Sequence, residues 1–94
     1  MIKVIARSVI KDKEINSYLE EVRILVAETR KEEGCISYEL FQDINNKCIF
    51  TILEEWSSKD ALDLHKKSKH ITEIIPRINN YRDSVEVNIY EKVI

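Results

Sequence analysis

The spacing of apolar residues switches between two and about 3.6 in a fixed order: strand, helix, strand, strand, helix, strand. From Ile2 to Ile10 it alternates, with Ile2, Val4, Ala6, Ser8 and Ile10 on one side and Ile5 and Val9 on the other. That is the period of an extended strand rich in β-branched residues. Asp12 stands where a helix cap is wanted. Between Glu14 and Lys31 the stripe Ile15, Tyr18, Leu19, Val22, Leu25 and Val26 then marks an amphipathic helix. Gly34, the only glycine, is read as its C-terminal cap, because glycine enters the left-handed region without steric cost. Glu32 and Glu33 oppose the helix dipole, so the helix is expected to end a little before them. Cys35–Asp43 and Lys47–Trp56 read as strands, joined by a tight hairpin at Asn45-Asn46. Ser57, with Asp60 three residues on, opens a helix that runs to about Lys67. Ile71, Ile74, Ile75 and Ile78 continue at helical spacing, with a kink or restart expected at Pro76. Ser84–Val93 is the last strand, with Val85, Val87, Ile89 and Val93 on one face.

The order β-α-β-β-α-β over residues 1–94 fits one α+β domain of the ferredoxin-like plan. Four antiparallel strands would carry both helical segments on one face. The strands carry apolar residues on their second face as well: Ile5 and Val9, Ile49 and Leu53, Tyr90 and Ile94. The helices can cover only one face, so the pattern predicts a homodimer packed sheet to sheet, as in dimeric α/β-barrels. Lys and Arg number 15 against 17 Asp and Glu, and this balance argues against a nucleic-acid surface. No apolar run approaches a membrane span. The apolar start is interrupted by Lys3 and Arg7 and reads as a strand, not a signal peptide. Cys35 and Cys48 read as free thiols of a cytoplasmic protein.

A single glycine rules out a Gly-x-Gly-x-x-Gly phosphate loop. Two histidines and two cysteines without ligand spacing point away from a dedicated metal site, so no cofactor is expected. The candidate bases are His65 and His70, since imidazole titrates near neutral pH. Five residues apart, they share no face of a regular helix; a break near Ser68 would bring them together. Each has a plainer alternative, His65 as a packing residue and His70 as a helix-positioning one. Trp56 is read as either core or ligand wall, and Tyr38 as either a donor to a bound oxygen or an ordinary strand tyrosine. Lys66, Lys67, Lys69 and His70 form a basic cluster. It reads as a solvated face, or, if turned toward a pocket, as suited to an anionic or phosphorylated substrate.

The stretch Lys31-Glu-Glu-Gly-Cys-Ile-Ser-Tyr38, with Glu54-Glu-Trp-Ser-Ser-Lys-Asp-Ala-Leu-Asp-Leu-His65 and Ser68-Lys-His70, resembles the antibiotic biosynthesis monooxygenase domain. Its small bacterial quinol monooxygenase-like members are the nearest in pattern. The resemblance covers essentially the whole chain and implies a cofactor-independent monooxygenase that oxidises a quinol or related small aromatic with O2. It implies His65 and His70 as catalytic residues and Trp56 and Tyr38 as substrate-binding ones. Two rivals stay open: a cofactor-free isomerase or tautomerase of a small carbonyl compound, and a non-catalytic dimeric module that binds a small ligand. The chain departs from the polyketide-oxidising relatives at Ile52, where they carry asparagine. It departs from the haem degraders in Glu73-Ile-Ile-Pro-Arg77, which offers no iron ligand.

Overall fold

A computed structural model describes residues 1–94. Strand β1 (Ile2–Ile10) leads through a short 3-10 turn at Asp12–Glu14 into helix α1 (Ile15–Thr29). Strands β2 (Cys35–Gln42) and β3 (Ile49–Trp56) follow, then helices α2 (Lys59–Lys66) and α3 (Lys69–Asn79), and finally β4 (Arg82–Glu91). The sheet order is β2-β3-β1-β4 and every neighbouring pair is antiparallel. This is the ferredoxin-like α+β arrangement the periodicities predict.

The alternation in β1 and β3 decides which face is covered. Val4, Ser8 and Ile10 in β1, and Phe50, Ile52, Glu54 and Trp56 in β3, are all buried on the helix side. They meet Tyr18, Val22 and Leu25 of α1, and Ala61, Leu62, Ile74 and Ile78 of α2 and α3. Register lines up Tyr38, Glu54, Val4 and Ile89 across the sheet, and, four residues along β1, Phe50, Ser8 and Val85. The helix-facing residues of β4, namely Val85, Val87 and Ile89, remain about half exposed. The helical layer therefore leaves the β4 side open.

Several local expectations are corrected. Asp12 does not cap α1: it lies in the 3-10 turn and pairs with Lys47 at 3.1 Å, while α1 begins at Ile15 without a side-chain cap. Gly34 is left-handed, at φ +86°, but four residues beyond the helix cap Arg30, in the turn entering β2. The β2–β3 connection is held by side chains and not by positive φ. Asp43 Oδ1 accepts from the Asn45 and Asn46 amides, and Asn46 Oδ1 accepts from Cys48. Ser58, not Ser57, caps α2 by accepting from the Ala61 amide, and the Ser57 amide donates to the Gly34 carbonyl. Pro76 does not restart the chain as a separate element, since α3 runs through it. Pro76 and Thr72, whose carbonyl loses its helical partner, are both exposed, so water can satisfy that carbonyl. The last strand begins two residues earlier than its valine pattern suggests and ends before Val93.

Candidate functional site

The break between the two C-terminal helices creates the site. Ser68 leaves helical geometry (φ −64°, ψ 154°) and its hydroxyl accepts from the Ile71 amide, capping α3. The turn puts His65, at the end of α2, beside His70, at the start of α3, with ring centroids 6.1 Å apart. Between them comes Glu32, from the α1–β2 turn. Its Oε2 lies 2.6 Å from His65 Nδ1 and 2.8 Å from His70 Nε2. A carboxylate oxygen can only accept, so both nitrogens donate, and this fixes the tautomer of each neutral ring. His65 then keeps its Nε2 lone pair free. Burial holds the His65 imidazole below its ordinary pKa, against the pull of the Glu32 hydrogen bond.

Gly34 brings Glu32 to this position. A Cβ built on Gly34 would stand 2.5 Å from the Ala61 Cβ and 2.9 Å from Ser57 Oγ, so the turn and the first turn of α2 are in direct backbone-to-helix contact. The Ser57 amide donates to the Gly34 carbonyl at 2.8 Å and closes the contact. The Glu-Gly-Cys stretch thus couples two functions: glycine permits the approach, and Glu32, two residues earlier, uses it.

A cavity of about 250 Å³ lies between the sheet and the helices and opens toward β4. Apolar side chains dominate its wall, and Tyr38, Glu54, His65 and Lys66 converge at one end. The His65 ring stands edge-on to Tyr38 (5.4 Å) and against Trp56 (4.6 Å). Trp56, read from sequence as core or ligand wall, is fully buried behind the cavity. Its indole N–H donates to Glu54 Oε1 at 2.9 Å. His70 also lies outside the cavity and is linked to it only through Glu32 and then His65. Tyr38 and His65 are on the wall. Burial pushes the Tyr38 phenol far up, so its hydroxyl is a donor and not an anion. The Cys35 thiol is raised too, by burial and then by Glu32 and Glu54, which disfavours thiolate chemistry there.

Sequence reasoning missed two residues. Glu54 is buried and faces the cavity, and burial pushes its carboxyl from 4.5 up to about 7. The only hint was a charge on the apolar face of β3. Glu32 was read only as a helix-dipole conflict. One atom each from Glu32, His65 and His70 lie within 4.8 Å of one another, a proximity that their spacing along the chain does not reveal. Two imidazoles and a carboxylate suit a divalent transition metal, although the atoms described here are spent on hydrogen bonds.

The raised Glu54 carboxyl has a measurable consequence. Folding raises its pKa, so the folded state holds this proton more tightly between pH 4.5 and about 7. Stability is free of any penalty below pH 4.5, and the penalty is complete once the pH has risen above about 7. A gap of this size corresponds to about 3 kcal/mol. Glu54→Gln keeps an acceptor for Trp56 and removes the ionisation. The variant should match the parent at pH 4 and exceed it at pH 8, by up to about 3 kcal/mol. Urea unfolding at the two pH values measures this; equal stabilities at pH 8 would mean Glu54 is not desolvated.

Residues 1–77 match the family model described as antibiotic biosynthesis monooxygenase. The chain belongs to this family. A conserved protein of Methanosarcina mazei has the same fold at a TM-score of 0.96, with 39% identity over 98% of this chain and 92% of that one. A solved antibiotic biosynthesis monooxygenase superposes at 0.94, with 37% identity and 99% of each chain covered. The Bacillus subtilis protein named "Putative monooxygenase YcnE" is 31% identical over 61 residues, 65% of this chain and 64% of its own length. The chain thus spans slightly less than two thirds of that relative. Family membership and these names support a monooxygenase-type function. No helix is long and apolar enough to cross a membrane.

Proposed function

We propose that this member of the antibiotic biosynthesis monooxygenase family oxidises a small quinol or related phenol with O2, using the substrate's own electrons. The carrying observation is the His65 imidazole on an apolar cavity wall, with Nδ1 bonded to Glu32 and Nε2 without a partner in the chain. A phenolic hydroxyl in the cavity gives its proton to Nε2. The electron-rich anion passes an electron to O2, and the two radicals join at a ring carbon. Loss of water from the resulting hydroperoxide leaves a carbonyl. The balance is hydroquinone plus O2 giving hydroxyquinone plus water: one oxygen atom stays on the ring, the other leaves as water, and the substrate supplies all four electrons. The His65 imidazolium returns its proton to the peroxide; Glu54, protonated below about pH 7, protonates the departing oxygen and is restored by the proton lost from the same ring carbon. Glu32 and His70 act through His65 and are positioning residues.

Oxygen-electrode traces with a panel of hydroquinones and naphthohydroquinones test this. One O2 consumed per substrate, with hydroxyquinone as product, is the expected result. Proton exchange or isomerisation without oxygen uptake would identify the tautomerase reading instead. Binding without turnover would identify a ligand-binding module.

We also propose that the working form is a cytoplasmic homodimer. On the sheet face away from the helices, Ile5, Val9, Ile49 and Leu53 are only partly buried, and Phe41 and Tyr90 are about half exposed. Apolar side chains on a face that the helices leave uncovered favour a second copy as its cover. Light scattering at micromolar concentration should give twice the 11.1 kDa of one chain; the mass of one chain would remove the proposal.

A further inference from the structure

The far end of the cavity holds a cation that nothing in the chain neutralises. Arg82, the first residue of β4, reaches across the sheet, and its Nη1 donates to Ser8 Oγ at 3.2 Å. Its Nε donates to Asn79 Oδ1 at 3.0 Å, and Nη2 donates to the same oxygen. All its partners are neutral, and none of the chain's ion pairs includes it. These bonds use three of the five guanidinium N–H groups and fix the plane. Two remain free. Beside it stands Tyr18, 2% exposed, whose hydroxyl makes no hydrogen bond within the chain and which lines the same cavity. Burial raises the Tyr18 phenol to about 12, so it offers a proton donor. At the opposite end Lys66 already offsets Glu54.

We propose that Arg82 and Tyr18 form a subsite for a carboxylate carried by the substrate, so that the natural substrate is an acidic phenol or quinol with its anionic group remote from the reacting ring. A fixed fork with two free N–H groups and a neighbouring hydroxyl matches a single carboxylate. The distance follows from the strands. Glu54 lies at the level of Val4 and Arg82 bonds at the level of Ser8, four residues along β1, or about 13 Å. The substrate's ring then sits at His65 and its acid group at Arg82, with a short apolar spacer against Ala6 and Val87. This inference rests on the reading of the cavity as an aromatic-substrate site.

Binding, not turnover, separates the two ideas, and Trp56, the only tryptophan, reports on it through its fluorescence. The probes are pentanoate bearing a terminal para-hydroxyphenyl ring, its neutral primary amide, and the corresponding butyl phosphate. The carboxylate should bind about 10- to 100-fold tighter than the amide, as expected for a charged hydrogen-bonded contact. Arg82→Gln should abolish that preference, bringing carboxylate affinity down to that of the amide. Tyr18→Phe, which keeps the ring, should reduce the preference several-fold and serves if Arg82→Gln does not fold. Equal affinity of acid and amide, or a preference that survives both substitutions, overturns the subsite while leaving the aromatic cavity intact. Tighter binding of the phosphate than of the carboxylate overturns the carboxylate assignment. Failure of all three probes removes the aromatic cavity and the subsite together.

Discussion

Replacing His65 by Gln should lower kcat/KM for a phenolic substrate by about 10²- to 10⁴-fold, the range a positioned base contributes. Gln fills much of the imidazole's space between Tyr38 and Trp56, so lost packing is a small part of the effect. Glu32→Gln is the sharper variant. It is nearly isosteric, yet the neutral amide no longer holds His65 Nδ1–H by charge, and the fraction of rings with a free Nε2 falls. A loss of at least about 10² in kcat with little change in KM is expected from it. The pH profile tells mechanism from damage. His65 must be neutral, and burial holds its pKa below 6.5, so the acid limb lies below that value. Glu54 must be protonated, so activity falls as the pH rises past about 7. Glu32→Gln should displace the acid limb, and Glu54→Gln should abolish the alkaline one. Circular dichroism and unfolding midpoints establish that each variant is folded. A folded His65→Gln protein with activity within threefold of the parent would eliminate His65 as the base.

The strands and helices were legible because their periods differ and their lengths are ordinary. The errors sit at junctions, where one residue serves two neighbours. Ser57 and Ser58 are equally good caps by type. Ser58 takes the role, while Ser57 is tied by its amide to Gly34, a contact between segments more than twenty positions apart. Gly34 itself was assigned the right conformation and the wrong reason. Sequence shows that a left-handed residue is affordable there; only the fold shows that Ala61 leaves no room for a side chain. Pro76 is tolerated because it falls on the wet face of α3, information that the helical spacing of the isoleucines already contained.

The candidate site was half legible for a related reason. The two histidines and the helix break at Ser68 lie within six residues of one another, so their meeting could be anticipated locally. Glu32 is more than thirty positions away from both. Nothing in its neighbourhood distinguishes it from Glu33, whereas the folded chain makes Glu32 the shared acceptor of both rings. Glu54 carried a stronger signal than it was given. It occupies an inward position of β3 between Ile52 and Trp56. A carboxyl there must be neutral, paired or functional, because an isolated buried charge is too costly to keep. Trp56 shows the converse. Its size suggested a ligand wall, but its N–H is committed to Glu54 and its ring backs His65, so it supports the site without entering the cavity.

Gly34→Ala should destabilise the protein by about 2–5 kcal/mol. The left-handed backbone costs an L-residue roughly 1–2 kcal/mol. The added methyl would stand 2.5 Å from the Ala61 Cβ, far inside normal carbon contact, and overpacking of this kind costs about 1–3 kcal/mol. A domain of this length has about 5–14 kcal/mol in total, so the melting temperature should fall by roughly 10–30 °C. The two causes separate in a double-mutant cycle. Ala61→Gly alone costs about 1 kcal/mol as a helix glycine, but it vacates the space that the new methyl needs. The double variant should therefore be more stable than the sum of the single losses allows, by about 1–3 kcal/mol, with the backbone share unrelieved. Strict additivity would show that the close approach of the turn to α2 is not what the glycine serves. Activity should follow the same cycle, because a displaced Gly34 carries Glu32 away from His65. Partial recovery of turnover in the double variant would tie the packing of one glycine to the orientation of the base.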